Sequence, residues 1–139
     1  MAGEKSAFSD KEREAMKERA REQREFKKLS GEEQINRKIA EMNPAEQKMA
    51  TALHKLVLSA APELKPQTWY GMPAYYLDGK VVCFLQVGSK FESRYSTFGF
   101  QEAAKIDDGD MFPTSFALIS LTPGVAKQIE ALVKKAVGR

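Results

Sequence analysis

The chain of 139 residues has the length of one ordinary domain, and its 42% hydrophobic content suffices to close a single core. Its 22 Lys and Arg against 19 Asp and Glu leave a formal charge of +3, too mild an excess to point to nucleic acid without clustering on one face, and no run approaches the roughly 18 apolar residues of a membrane span. One Cys excludes an internal disulfide, and one His beside it falls short of the usual zinc ligand set, so a reduced, cytoplasmic setting is the expectation.

The N-terminal "MAGEKSAFSDKEREAMKERA" holds no apolar run of the kind a signal peptide needs. Residues 9–29 open with Ser9 and Asp10 as candidate N-caps and continue with strong helix formers. Opposite charges recur three or four apart, as in Glu14 with Lys17, Arg21 with Glu25, and Glu25 with Lys28. The apolar residues Phe8, Met16, Ala20, Phe26 and Leu29 are too sparse for a wide stripe, so residues 1–29 are expected to form a charged helical extension to a domain at 30–139.

Ser30 and Glu33 have the spacing of a capping box, and Ile35, Ile39 and Met42 share one face of the short helix that follows. Asn43 caps a third helix with Pro44 in its first turn, and Met49, Leu53, Leu56, Val57 and Ala60 form its apolar stripe up to Pro62. From Pro66 the period changes. The runs "QTWYG", "AYYL", "KVVCFLQV", "KFESRYSTFGF" and "SFALISL" are short, aromatic or β-branched, and punctuated by Gly, Pro or Asp, as strands are.

Asp78-Gly79 is a type I′ hairpin signal that pairs "AYYL" with "KVVCFLQV" antiparallel. Gly71-Met72-Pro73 reads as a bulge or break between two strands. "QEAAKIDDGDMFPT" reads as a helical turn and an acidic loop. Thr122 and Pro123 then start a final helix with Val125, Ile129, Leu132, Val133 and Ala136 on one face. The fold class is therefore α+β, an antiparallel β-sheet with the helices at 44–61 and 123–137 packed on one face.

"TWYGMPAYYLDGKVVCFLQ", with "KFESRYSTFGF" and "FALISLTPGVAKQIEALVKKAV", resembles a bacterial family of small YdhG-like domains of unknown function that contains a frataxin-like iron chaperone from Bacillus. The "YGMPAY" pattern, the hairpin after it and the closing helix carry the likeness, over roughly residues 44–138, and "FSDKEREAMKERARE" resembles the charged extension of one subgroup. The resemblance implies a frataxin-like outline and brings iron into view as a ligand. Most of the family has no assigned activity.

The residues offer their own candidates. Trp69, Tyr70, Tyr75 and Tyr76 bracket Gly71-Met72-Pro73, a corner where alternate rings can face one concavity with Met72 and Pro73 as further candidate ligand contacts, and Tyr70 and Tyr75 are the better placed for a wet hydroxyl. Lys80, Lys90 and Arg94 would add positive charge beside it and favour an anionic ligand. Asp107, Asp108 and Asp110 around Gly109, with Glu102 nearby, are the best oxygen cluster for a hard cation, although the acid that closes a calcium loop is missing. Cys83 reads as a small buried hydrophobe and His54 as a helix boundary residue. No phosphate-cradling glycine loop, catalytic triad or carboxylate pair supports an enzyme. The expected function is a small binding module for a small molecule or a metal at the "WYGMPAY" corner or the 107–110 loop. The alternative is an interaction module whose N-terminal helix docks on a protein or nucleic acid.

Overall fold

Three of the helices begin where a side chain satisfies an orphan N–H group. Ser9 Oγ accepts from the Glu12 amide at 3.1 Å, Asn43 Oδ1 from Glu46 at 2.8 Å, and Thr122 Oγ1 from Val125 at 3.2 Å. The structure, a computed structural model, describes residues 9–139, so Phe8 of the expected apolar set lies outside the described residues. Among the described residues there are four α-helices, α1 (Asp10–Lys27), α2 (Gly31–Ala40), α3 (Pro44–Ala60) and α4 (Pro123–Ala136). Five strands, β1 (Lys65–Trp69), β2 (Met72–Leu77), β3 (Lys80–Gln86), β4 (Ser96–Phe100) and β5 (Ser115–Leu118), form one antiparallel meander in that order. None of the helices is long and apolar enough to cross a membrane.

The chain divides into two compact units, Met1–Ser30 and Gly31–Arg139. In the first, α1 has no buried residue, and its charges pair along the helix, Asp10 with Arg13 and Glu18 with Arg21 at 2.9 Å. Arg21 thus takes Glu18 in place of the Glu25 that spacing suggested.

In the second unit the register fixes two faces of the sheet. Tyr75 stands opposite Cys83, and Cys83 opposite Phe100, and all three enter the core with Leu53, Val57, Ile129 and Val133 of α3 and α4. The alternate row, Ala74, Phe84 and Gly99, faces away from it. Gly99 leaves room for the Phe84 ring there, because an added Cβ would lie 2.5 Å from Phe84 Cζ and the ring would have to shift. Between Tyr75–Cys83 and Tyr76–Val81 the register slips by one, so Val82 has no opposite number, and Val82 and Cys83 are both fully buried.

The expected break at Gly71-Met72-Pro73 is met at Gly71 only. Tyr70 and Gly71, with φ of 50° and 76°, are the two central residues of a tight hairpin closed by Trp69 and Met72, and Met72 and Pro73 already belong to β2. This is the same turn chemistry as Asp78-Gly79, with φ of 52° and 79°. The run from Lys90 is also shorter as a strand than its sequence suggests. Ser89–Phe91 form a single 3₁₀ turn, Glu92 is left-handed with φ 54°, and pairing starts at Ser96.

Two expectations follow. Among the described residues the core cluster falls within residues 31–139, so deleting residues 1–29 should shift the melting temperature by no more than a few degrees, a change of about 1 kcal/mol or less; a larger fall in calorimetry would contradict this. At the start of α2 a Cβ on Gly31 would sit 1.8 Å from the Pro66 carbonyl oxygen, a backbone atom that cannot swing aside. Gly31→Ala should therefore destabilise the domain by about 1–3 kcal/mol in urea titrations, and a neutral result would refute the contact.

Candidate functional site

The strand-to-strand connection after β3 is built to hold its shape. The buried Ser96 hydroxyl accepts from the Gly88 amide at 3.0 Å, and the Gly88 carbonyl accepts from the amides of Phe91 and Ser93 at 3.0 and 2.9 Å. A side chain on Gly88 would meet the Tyr95 carbonyl oxygen at 2.3 Å, so the chain can fold back on itself only with glycine there.

From α3, Glu46 grips this connection with both carboxylate oxygens. Oε1 accepts from Ser89 Oγ at 2.7 Å and Oε2 from the Ser89 amide at 3.1 Å. Glu46 occupies the position from which a capping box would reach back to Asn43, and its carboxylate is spent on the loop instead.

Two hollows meet at this grip. The larger, about 500 Å³, lies between the first half of α3, the 88–96 connection and the end of β5. Arg94 and Lys48 supply positive charge to it, Ser89, Ser93 and Ser120 supply hydroxyls, and Met49, Leu118 and Leu121 supply apolar surface. Arg94 also stands 5.2 Å from the centre of the Tyr95 ring, which limits its wandering. The smaller hollow, about 280 Å³, is walled by Gly71, Met72 and Pro73 together with Met42, Leu85, Lys90 and Phe91. Glu46 and Ser89 line both.

The expected site residues therefore divide. Met72 and Pro73 wall the smaller hollow, with Lys90 beside Gly71, and Arg94 lines the larger. Tyr70 is 85% exposed at the hairpin tip, its ring centre 5.1 Å from that of Trp69. Trp69 leans on Phe84 at 5.4 Å, so these rings cluster by the outward row of the sheet and line neither hollow. Lys80 borders a third hollow with Gln101 and Glu102. One concavity shared by all the corner rings is not formed, because a tight turn sends successive side chains to different faces.

Tyr75 is the clearest correction, for it is 1% exposed and its hydroxyl is dry. The oxygen lies 2.8 Å from His54 Nδ1, and His54 Nε2 lies 2.6 Å from Glu32 Oε1. His54, read from sequence as a boundary residue, is buried and links α2, α3 and β2. The Glu32 carboxylate can only accept, so Nε2 carries a ring hydrogen and donates it to Glu32, and in the neutral ring Nδ1 is then the acceptor for the Tyr75 hydroxyl. Burial raises the Tyr75 phenol far above its ordinary range, with Cys83 and Glu32 adding to the effect. Burial likewise raises the Cys83 thiol, which is consistent with an inert core residue.

The acidic run does not assemble. Asp107, Asp108 and Asp110 are exposed, and among the described residues no group of three His, Cys, Asp or Glu could hold a metal ion. Ala104 and Ile106 anchor the preceding segment in the core, while the Asp side chains follow Gly109 (φ 78°) around a solvent turn. Sequence reasoning missed Glu46, Lys48 and Ser89, whose only signal was their place after a helix cap and in a Gly-Ser turn.

No family model, curated protein or solved structure matches this chain.

The two tyrosines of the corner should differ under the mildest substitution. Tyr75→Phe strands His54 Nδ1 in the core and should cost about 1–3 kcal/mol. Tyr70→Phe removes a hydroxyl from solvent and should stay within about 0.5 kcal/mol. Equal effects in urea denaturation would contradict the assignment of Tyr75 to the core.

Proposed function

We propose that this protein is a small binding domain that holds an anionic organic molecule, a carboxylate or phosphate joined to an apolar group, in the cleft beside Arg94. One observation carries the reading: Arg94 and Lys48 converge with serine hydroxyls on a cleft of about 500 Å³ that also exposes Met49, Leu118 and Leu121. A cavity of that size suits a small ligand, and few convergent polar groups on an apolar wall are what orient one. Arg94 would supply the planar, two-pronged contact that carboxylates and phosphates accept. The Glu46 grip on Ser89 favours a preformed cleft, so binding would lose little to ordering of the loop.

Kinship with YdhG-like, frataxin-like domains is part of the same proposal, supported by the helix-sheet-helix order and the "YGMPAY" hairpin. On this reading the motif supplies the neighbouring wall, through Met72 and Pro73, and the buried anchor, through Tyr75.

Titration calorimetry with inorganic phosphate, benzoate and octanoate tests the proposal. At least one should bind, and Arg94→Ala should weaken it about tenfold, the effect of losing roughly 1.4 kcal/mol. Arg94 is exposed, so the variant should keep the wild-type melting temperature. Absence of binding by all three, or binding indifferent to both Arg94→Ala and Lys48→Ala, would overturn it.

A further inference from the structure

The two edges of the sheet are treated differently. At β1 the edge is blunted three ways. Pro66 has no N–H, Gly31 of α2 lies against the Pro66 carbonyl, and Gln34 Oε1 accepts from the Thr68 amide at 3.3 Å and hydroxyl at 2.9 Å. Among the described residues β5 carries none of these devices. The Phe100 amide donates to the Thr114 carbonyl at 2.7 Å, and Phe98 pairs with Phe116 and Ser96 with Leu118. The alternation of an antiparallel ladder therefore turns the N–H and C=O of Ser115, Ala117 and Ile119 to the open side.

Residues 114–122 include no charge and no proline, the residues that usually protect an edge. Beside the strand runs an apolar groove of about 670 Å³ between β5 and α4, lined by Phe98, Phe116, Ile119, Val125, Ile129 and Leu132 among others, with no charged side chain. Ile119 is 72% exposed at its end.

We propose that β5 pairs with β5 of a second copy of this chain, antiparallel about a two-fold axis through Ala117, to give a continuous ten-stranded sheet across the dimer. Two features favour a second copy over an unrelated strand. The strand is self-complementary: a two-fold at Ala117 sets Ser115 opposite Ile119 and Phe116 opposite Leu118, with no like charges in the pair. The ends are complementary too. Pro113 of one copy falls opposite Leu121 of the other, and Asp110 is at most about 11 Å of chain away from Pro113. Acidic residues 107–110 are thus within reach of the end where Leu121 shares its cleft with Lys48 and Arg94. The dimer rests on the strand, the groove and the charges at their ends and not on a ligand bound beside Arg94, so either can fail without the other.

Light scattering on the eluting full chain tests it. The wild type should show twice the 15.6 kDa chain mass in a concentration-dependent equilibrium. Ile119→Lys, at an exposed position, and Ala117→Pro, which removes an outward N–H, should each elute as monomers with unchanged far-UV circular dichroism. If Ala117→Pro fails to fold, Ile119→Lys decides alone. A wild-type chain that stays at 15.6 kDa up to its solubility limit overturns the proposal, and so does a dimer that survives Ile119→Lys. A monomer that instead adds a synthetic peptide strand at this edge also overturns it.

Discussion

The hydrogen-bonded chain from the Tyr75 hydroxyl through the His54 ring to Glu32 is the constraint on which the rest of the arrangement turns. A phenol and an imidazole buried together are costly unless every polar atom finds a partner, and the described side chains leave none of their buried nitrogens and oxygens unsatisfied. Satisfying them demands one position of α3 over β2 and one position of α2 beside both. Hydrophobic burial by Leu53, Val57 and Val133 supplies the larger energy, but it is tolerant of sliding. The polar chain is not.

With α3 held at His54, its first turn is carried to a defined height over the β3–β4 connection. Glu46 lies eight residues before His54, about 12 Å along the axis at 1.5 Å per residue, and there it seizes Ser89. The interior contact and the surface grip are thus two points on one rigid rod. Lys48 on the same helix and Arg94 on the gripped loop are brought to one cleft as a consequence. The cleft is a product of the core.

How much of this could be read from the residues differs by element. The capped helices and the Asp78-Gly79 hairpin were legible because their signals are local: a side chain satisfies a donor three residues on, or a glycine takes a positive φ. The α+β class followed from their order. Tyr70-Gly71 obeys the same rule, yet the proline two residues later drew the expected break too far along the chain, to Gly71-Met72-Pro73. Sequence also overextended β4, because Phe91 and Tyr95 look like strand residues while the Gly88 turn and Glu92 interrupt them. His54 was misjudged for a different reason. Its partners lie 22 residues before and 21 after it, so no window of local pattern holds all three. The cleft was legible only in part: Arg94 could be suspected from its charge, but Glu46 and Lys48 join it through tertiary folding alone.

The hydrogen-bonded chain is tested by the protonation state of the His54 ring, read by nitrogen-15 NMR at neutral pH together with exchange of the Tyr75 hydroxyl proton. The expected result is a ring protonated at Nε2, a lone pair at Nδ1 shifted by an accepted hydrogen bond, and a hydroxyl proton shielded from solvent. A ring protonated at Nδ1, with a Tyr75 hydroxyl in free exchange with water, would contradict it.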